Sequence, residues 1–126
     1  MTEKTPIETK NAPGAIGPYS QAIKTGNLVF ISGQVGFDPV SMKLADGVEN
    51  QTRQVFANLT AVAEAAGGTL QNAVKLTIYV NDLGNFKTVN EIMAEHFEQP
   101  YPARATIEVS KLPVDALVEI DAILAL

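Results

Sequence analysis

Apolar and polar positions alternate along two stretches of this chain. Val74, Leu76, Ile78 and Val80 are separated by Lys75, Thr77 and Tyr79, the period-two pattern of a strand with one apolar face. Near the C-terminus Val118, Ile120, Ala122, Leu124 and Leu126 form an apolar parity. Leu117, Glu119, Asp121, Ile123 and Ala125 form a mixed one, so a second strand is expected there. Gly26-Asn27 lies between Ala22–Thr25 and the apolar run Leu28–Ile31, which predicts a tight hairpin. A fifth strand is expected at roughly Ala105 to Ser110, joined to the last one across Lys111-Leu112-Pro113-Val114-Asp115.

Two segments carry a helical period instead. Val55, Leu59, Val62, Ala63 and Ala66 recur at helical spacing and stop at Gly67-Gly68, a left-handed C-terminal stop. Phe86, Val89, Met93 and Phe97 mark a second helix that ends before Pro100. The order of elements predicts an α+β two-layer sandwich, with both helices on one face of the sheet and loops at 34–47 and 99–102. The other face would carry Lys75, Thr77, Tyr79, Thr106, Glu108, Glu119 and Asp121 beside apolar Leu117, Ile123 and part of Leu28–Ile31. Such a mixture is poorly suited to bare water. Covering it with the same face of other copies would bury the apolar positions and enclose the polar ones in clefts between subunits.

Composition narrows the chemistry. At 126 residues and 46% hydrophobic content, one domain spanning 1–126 is expected. There are no cysteines and His96 is the only histidine, which removes disulfides, thiolate nucleophiles and ordinary zinc sites; no metal and no cofactor are expected. The segment Met1 to Lys10 has no apolar core of a signal peptide, and no run is long enough to cross a bilayer, so a cytoplasmic protein without a membrane partner is expected. A net charge of −5 without a Lys/Arg stripe argues against nucleic acid as a partner. Neither Gly14-Ala15-Ile16-Gly17 nor Gly33-Gln34-Val35-Gly36 continues as a phosphate-binding loop. Ser32 lacks the setting of a nucleophile elbow, and His96 has no patterned partner.

Three residues stand out as candidates. Pro100-Tyr101-Pro102-Ala103-Arg104 stiffens the approach to a strand and delivers Arg104 in a restrained place, where a guanidinium can grip a carboxylate through two parallel bonds; a surface arginine beside an acid fits the same spacing. Glu119 sits between Val118 and Ile120, where partial desolvation would lift its pKa toward general acid or base use; an interface ion pair is the alternative. The segment Asn11 to Tyr19, with two prolines and two glycines, would hold the Tyr19 hydroxyl at a cleft edge, or serve only as loop punctuation.

Taken in order, these segments resemble the reactive intermediate deaminase (RidA/YjgF) family over nearly the whole chain. The resemblance rests on Asn11-Ala12-Pro13, Ile16-Gly17-Pro18-Tyr19-Ser20-Gln21, Ile31-Ser32-Gly33-Gln34, Val80 through Leu83 to Phe86 and Val89-Asn90, and Tyr101-Pro102-Ala103-Arg104 through Glu108-Val109 and Leu112-Pro113 to Val118-Glu119-Ile120. It implies a chorismate-mutase-like fold on a mixed sheet and a homotrimer with a central barrel and clefts between subunits. It also implies hydrolysis of enamines and imines such as 2-aminoacrylate, 2-iminopropanoate and 2-iminobutanoate to 2-oxo acids and ammonia. Arg104 would hold the substrate carboxylate, Glu119 would serve water and the departing ammonia, and Tyr19 would line the pocket, with Ser32, Gly33, Asn90 and Thr106 completing its wall. Thr106 stands where a cysteine is common in the family, which excludes thiol-based control at that position. A noncatalytic 2-oxo-acid-binding or regulatory trimer is the alternative reading, and chorismate mutase chemistry is disfavoured because only one cleft arginine is available.

Overall fold

Residues 3–126 are described by a computed structural model of the chain. Its strands are β1 (Thr5–Ile7), β2 (Ala22–Thr25), β3 (Leu28–Gln34), β4 (Ala73–Val80), β5 (Ala103–Glu108) and β6 (Val118–Ala125), and its α-helices are α1 (Gly47–Ala65) and α2 (Phe86–His96). They form one mixed sheet in the order β1-β2-β3-β6-β4-β5. Only β4 and β5 are parallel. A parallel pair needs a crossover, and α2 supplies it.

The expected apolar parities build the core. Val29, Leu76, Ile78, Val80, Val118, Ile120 and Leu124 turn inward from the sheet and meet Val55, Phe56, Leu59 and Val62 of α1 and Val89 of α2; all of these are fully buried. The helix α1 begins well before its first expected apolar position, because Val48 packs on the core and the polar residues Gln51 and Thr52 are buried in its early turns. The Gln51 side-chain oxygen accepts from the Leu117 N–H at 2.8 Å, and the Asn58 amide donates to the carbonyls of Val35 and Phe37. The Asn58 bonds fasten the 34–47 segment to the helix, and the Gln51 bond fastens the residue before β6. Gly36 permits the approach, since a Cβ there would lie 2.8 Å from the Gln51 Cα.

Four expectations are corrected. Strand β1 was not expected; it is three residues long, carries Pro6 and leans on β2 at the sheet edge, too short to show a period. Val74 leaves the apolar parity and is 46% exposed, because the register shifts between Ala73 and Lys75 and Ala73 takes the inward position. Thr106 and Glu108, expected on the open face with Tyr79 and Glu119, lie on the helix face instead. The parallel register aligns Leu76 with Arg104, Ile78 with Thr106 and Val80 with Glu108, which leaves Ala103, Ala105 and Ile107 on the open face. Because β5 is an edge strand at the margin of the helical layer, its helix side tolerates polar residues that a central strand would not. Arg104, expected on the polar face, therefore also sits on the helix side.

The open face does hold the expected mixture of Lys75, Thr77, Tyr79, Glu119, Asp121 and Ile123, all only partly buried. Phe30 on β3 is 43% exposed and Ile107 on β5 is 43% exposed. Among the described residues no helix is long and apolar enough to cross a membrane.

Candidate functional site

Arg104 leaves the edge of the sheet toward α2. One guanidinium nitrogen donates to Asn90 Oδ1 at 2.5 Å and lies 3.5 Å from Met93 Sδ, while the guanidinium carbon stands 5.2 Å from the centre of the Phe86 ring. Three residues of one helix thus orient the fork: an amide oxygen, a thioether and an aromatic face that attracts cations. No carboxylate of the described residues pairs with it. Beside it opens a cavity of about 440 Å³ lined by Asn90, Met93, Phe97, Tyr101, Pro102 and Arg104. Two residues further along β5, Thr106 Oγ1, also on the helix side, is buried and has no hydrogen-bond partner among the described residues. A cation with free donors at the wall of an open cavity makes a place for an anion.

Glu119 lies on the other face. It is the direct cross-strand partner of Tyr79, and the carboxyl group packs against the backbone of Gly33 so closely that a Cβ on residue 33 would overlap it. Around it is a second cavity, of about 320 Å³, whose lining includes Ile16, Tyr19, Gly33, Val35, Met42 and Val114. Partial burial, and then the charge of Asp121, raise the Glu119 pKa above the ordinary carboxylate value. The Tyr79 hydroxyl donates to Asp121 Oδ2 at 3.3 Å, and burial followed by Asp121 raises the Tyr79 pKa as well. A carboxyl group in a largely apolar recess with a raised pKa is suited to exchanging protons.

The sequence candidates therefore divide into two groups. Tyr19, Gly33 and Glu119 share one cavity and Asn90 and Arg104 share the other, while Thr106 lines neither. The Tyr19 hydroxyl accepts from the Ile16 N–H at 3.4 Å, so the loop is folded back on the ring at the cleft edge. Ser32 lines neither cavity; its hydroxyl donates to the Ser20 carbonyl at 2.6 Å and ties β3 to the segment before β2. His96 belongs to the fold, with its ring stacked on Phe56 at 4.8 Å. Spacing gave no sign of Met93 and Phe86 as the frame of Arg104, or of Met42 and Val114 beside Glu119. Their meeting depends on which faces of separate elements come together.

The family model described as "Endoribonuclease L-PSP" matches residues 9–126. The chain belongs to that family. Its members include the RidA proteins: Reactive Intermediate Deaminase A of Arabidopsis thaliana is 47% identical over 98% of this chain and 67% of its own length. The 2-iminobutanoate/2-iminopropanoate deaminase of Homo sapiens is 43% identical over 93% of this chain and 86% of its own. The crystal structure of RidA from a Psychrobacter species superposes with a TM-score of 0.95 at 48% identity, covering 97% of this chain and 99% of that one. The mixed sheet with two helices on one face is thus the fold of this RidA-containing family.

Proposed function

We propose that this protein hydrolyses small 2-imino acids and their enamine tautomers to 2-oxo acids and ammonia, at sites that a second copy of the chain completes. The observation that carries the reading is the division of the candidate residues: a carboxylate-gripping arginine and a proton-exchanging carboxyl group project from opposite faces of one sheet. A small planar substrate cannot reach both within one chain. Laying the open face of one copy, with Glu119 and Tyr19, against the Arg104 edge of the next would bring them to a single substrate and cover Phe30, Ile107 and Ile123. A closed ring of three copies satisfies this head-to-tail contact, so a homotrimer with a central barrel is part of the proposal.

The chemistry follows from the groups. Arg104, aimed by Asn90, Met93 and Phe86, holds the substrate carboxylate. Water adds to the imine carbon as Glu119 takes one of its protons and passes it to the nitrogen, giving a carbinolamine; Glu119 then takes the hydroxyl proton and passes it to the amine, so that the C–N bond breaks and ammonia departs as the carbonyl forms. Tyr19 bounds the pocket. The deaminases of Arabidopsis thaliana and Homo sapiens among the relatives support this reading. RNA cleavage, which the family description names, finds no support in a chain of net charge −5 without a basic stripe.

The test is a coupled assay in which an amino-acid oxidase or a dehydratase generates 2-iminopropanoate and its disappearance is followed with and without the protein. Faster loss with pyruvate and ammonia as products is expected. Disappearance at the uncatalysed rate, with tight binding of pyruvate instead, would make the protein a noncatalytic 2-oxo-acid binder.

A further inference from the structure

Two residues beside Glu119 hold backbone conformations that their side chains disfavour. Met42 has φ 56° and Val114 has φ 53°, in the left-handed region where glycine and asparagine are the inexpensive choices and a β-branched residue is a rare exception. They belong to separate loops, and each loop is tightly bound. The Met42 N–H donates to the Asp38 carbonyl at 2.9 Å, while Asp38 Oδ1 accepts from the N–H groups of Val40 and Ser41. On the other side, the N–H of Asp115 donates to the Leu112 carbonyl and that of Ala116 to the Pro113 carbonyl, with Leu112 and Ala116 buried as anchors. Burial within the chain does not compensate for the conformation of Val114, whose side chain is 56% exposed. Asp115, beside Val114 in the same turn, also has a positive φ of 57°; of these three residues, Met42 and Val114 line the recess that contains Glu119.

We propose that Met42 and Val114 are specificity-determining residues, held over Glu119 as the wall against which an apolar substrate side chain packs. The inference rests on the imine-hydrolysis reading above and adds a preference within it: 2-imino acids whose alkyl side chain is larger than the methyl of 2-iminopropanoate and the ethyl of 2-iminobutanoate. The recess of about 320 Å³ has room for such a chain, since binding clefts for whole small molecules begin near 300 Å³. Pro13, Ile16, Val35 and Phe37 extend the same apolar surface, and a second substrate carboxylate there would meet the charge of Glu119 without a cation among the lining residues. The unbranched, polarizable Met42 side chain adapts to alkyl chains of different shape.

The test compares kcat/KM for the 2-imino acids derived from leucine and from alanine, each generated by an amino-acid oxidase, in the parent and in Met42→Gly, Val114→Gly and the double variant. Glycine accepts the left-handed conformation, so these variants keep the backbone while removing the wall. The leucine-to-alanine ratio should fall about tenfold or more in the double variant, the discrimination a few methylenes of apolar contact provide. Val40→Ala, a 91% exposed residue of the same loop that does not line the recess, should leave the ratio as in the parent. An unchanged or raised ratio overturns the proposal, as does a loss of assembly by light scattering with the ratio intact, which would make Val114 a subunit contact. If the parent hydrolyses neither imine, it is the underlying functional reading that fails.

Discussion

Arg104 and Glu119 project from opposite faces of one sheet: Arg104 stands level with inward-facing Leu76 on β4, and Glu119 level with outward-facing Tyr79 two strands away from the edge. If both serve one substrate, they belong to different copies. Arg104→Ala and Glu119→Gln, each nearly inactive alone, should then complement when unfolded together and reassembled. Random mixing leaves about a quarter of the sites with both native groups in a cyclic assembly, and roughly that share of parental activity should return. Absence of any recovery, with mixed oligomers verified by mass spectrometry, would place the two groups in separate functions.

Arg104→Ala removes the only charged grip on the carboxylate that the first cavity offers. Charged hydrogen bonds are each worth about 1.5 to 3 kcal/mol, so kcat/KM should fall on the order of 10²-fold to 10⁴-fold. Arg104→Lys should recover part of this, since an ammonium restores charge without the planar fork. Activity of Arg104→Ala within about tenfold of the parent, in a folded oligomer, would remove this residue from carboxylate binding.

Glu119→Gln should slow turnover roughly 10²-fold to 10⁴-fold while ligand binding persists. Stability should move the other way. The folded state holds the Glu119 pKa above its ordinary value, so the contribution of this group is fully present below the unfolded pKa and is lost as pH rises through the folded one. The amide never ionises. The variant should therefore melt above the parent near pH 7, and the difference in Tm should vanish toward pH ~4; a variant less stable at both pH values would contradict the cause assigned to the shift.

Gly33→Ala tests the packing beside that carboxyl group. The added methyl overlaps the end of a flexible side chain rather than backbone, so Tm should change little, while kcat should fall as Glu119 is displaced. Scanning calorimetry and the imine assay on the same preparation separate the two effects.

His96 provides a pH dependence unrelated to the site. Burial against Phe56 lowers its pKa; Glu95 opposes the shift and Arg53 assists it. A lowered folded pKa means that its contribution is present above the unfolded value of about 6.5 and is lost as pH falls through the folded one. Acidification should lower the Tm of the parent more than that of His96→Phe, with the curves meeting above pH ~7.

The alternation at β4 and β6 and the helical periods of α1 and α2 were legible in the sequence, because burial on one side of an element repeats at the period of its own geometry. So were the exclusion of thiol chemistry and the choice of Arg104 and Glu119 as candidates, to which the resemblance added their expected roles. The face on which each candidate projects was not. On edge strand β5 the apolar parity of Ala103, Ala105 and Ile107 points away from the helices, so the rule that the apolar parity faces the core inverts, and Arg104, Thr106 and Glu108 change sides. The outward turn of Val74 follows from a register shift that no local pattern marks. Likewise, Met42 and Val114 meet at Glu119 only because two tightly bonded loops, separated along the chain, close over the end of β6. Periodicity encodes what one element buries; which residues from distant elements share a cavity depends on strand register and loop closure, and these arise only when the whole sheet assembles.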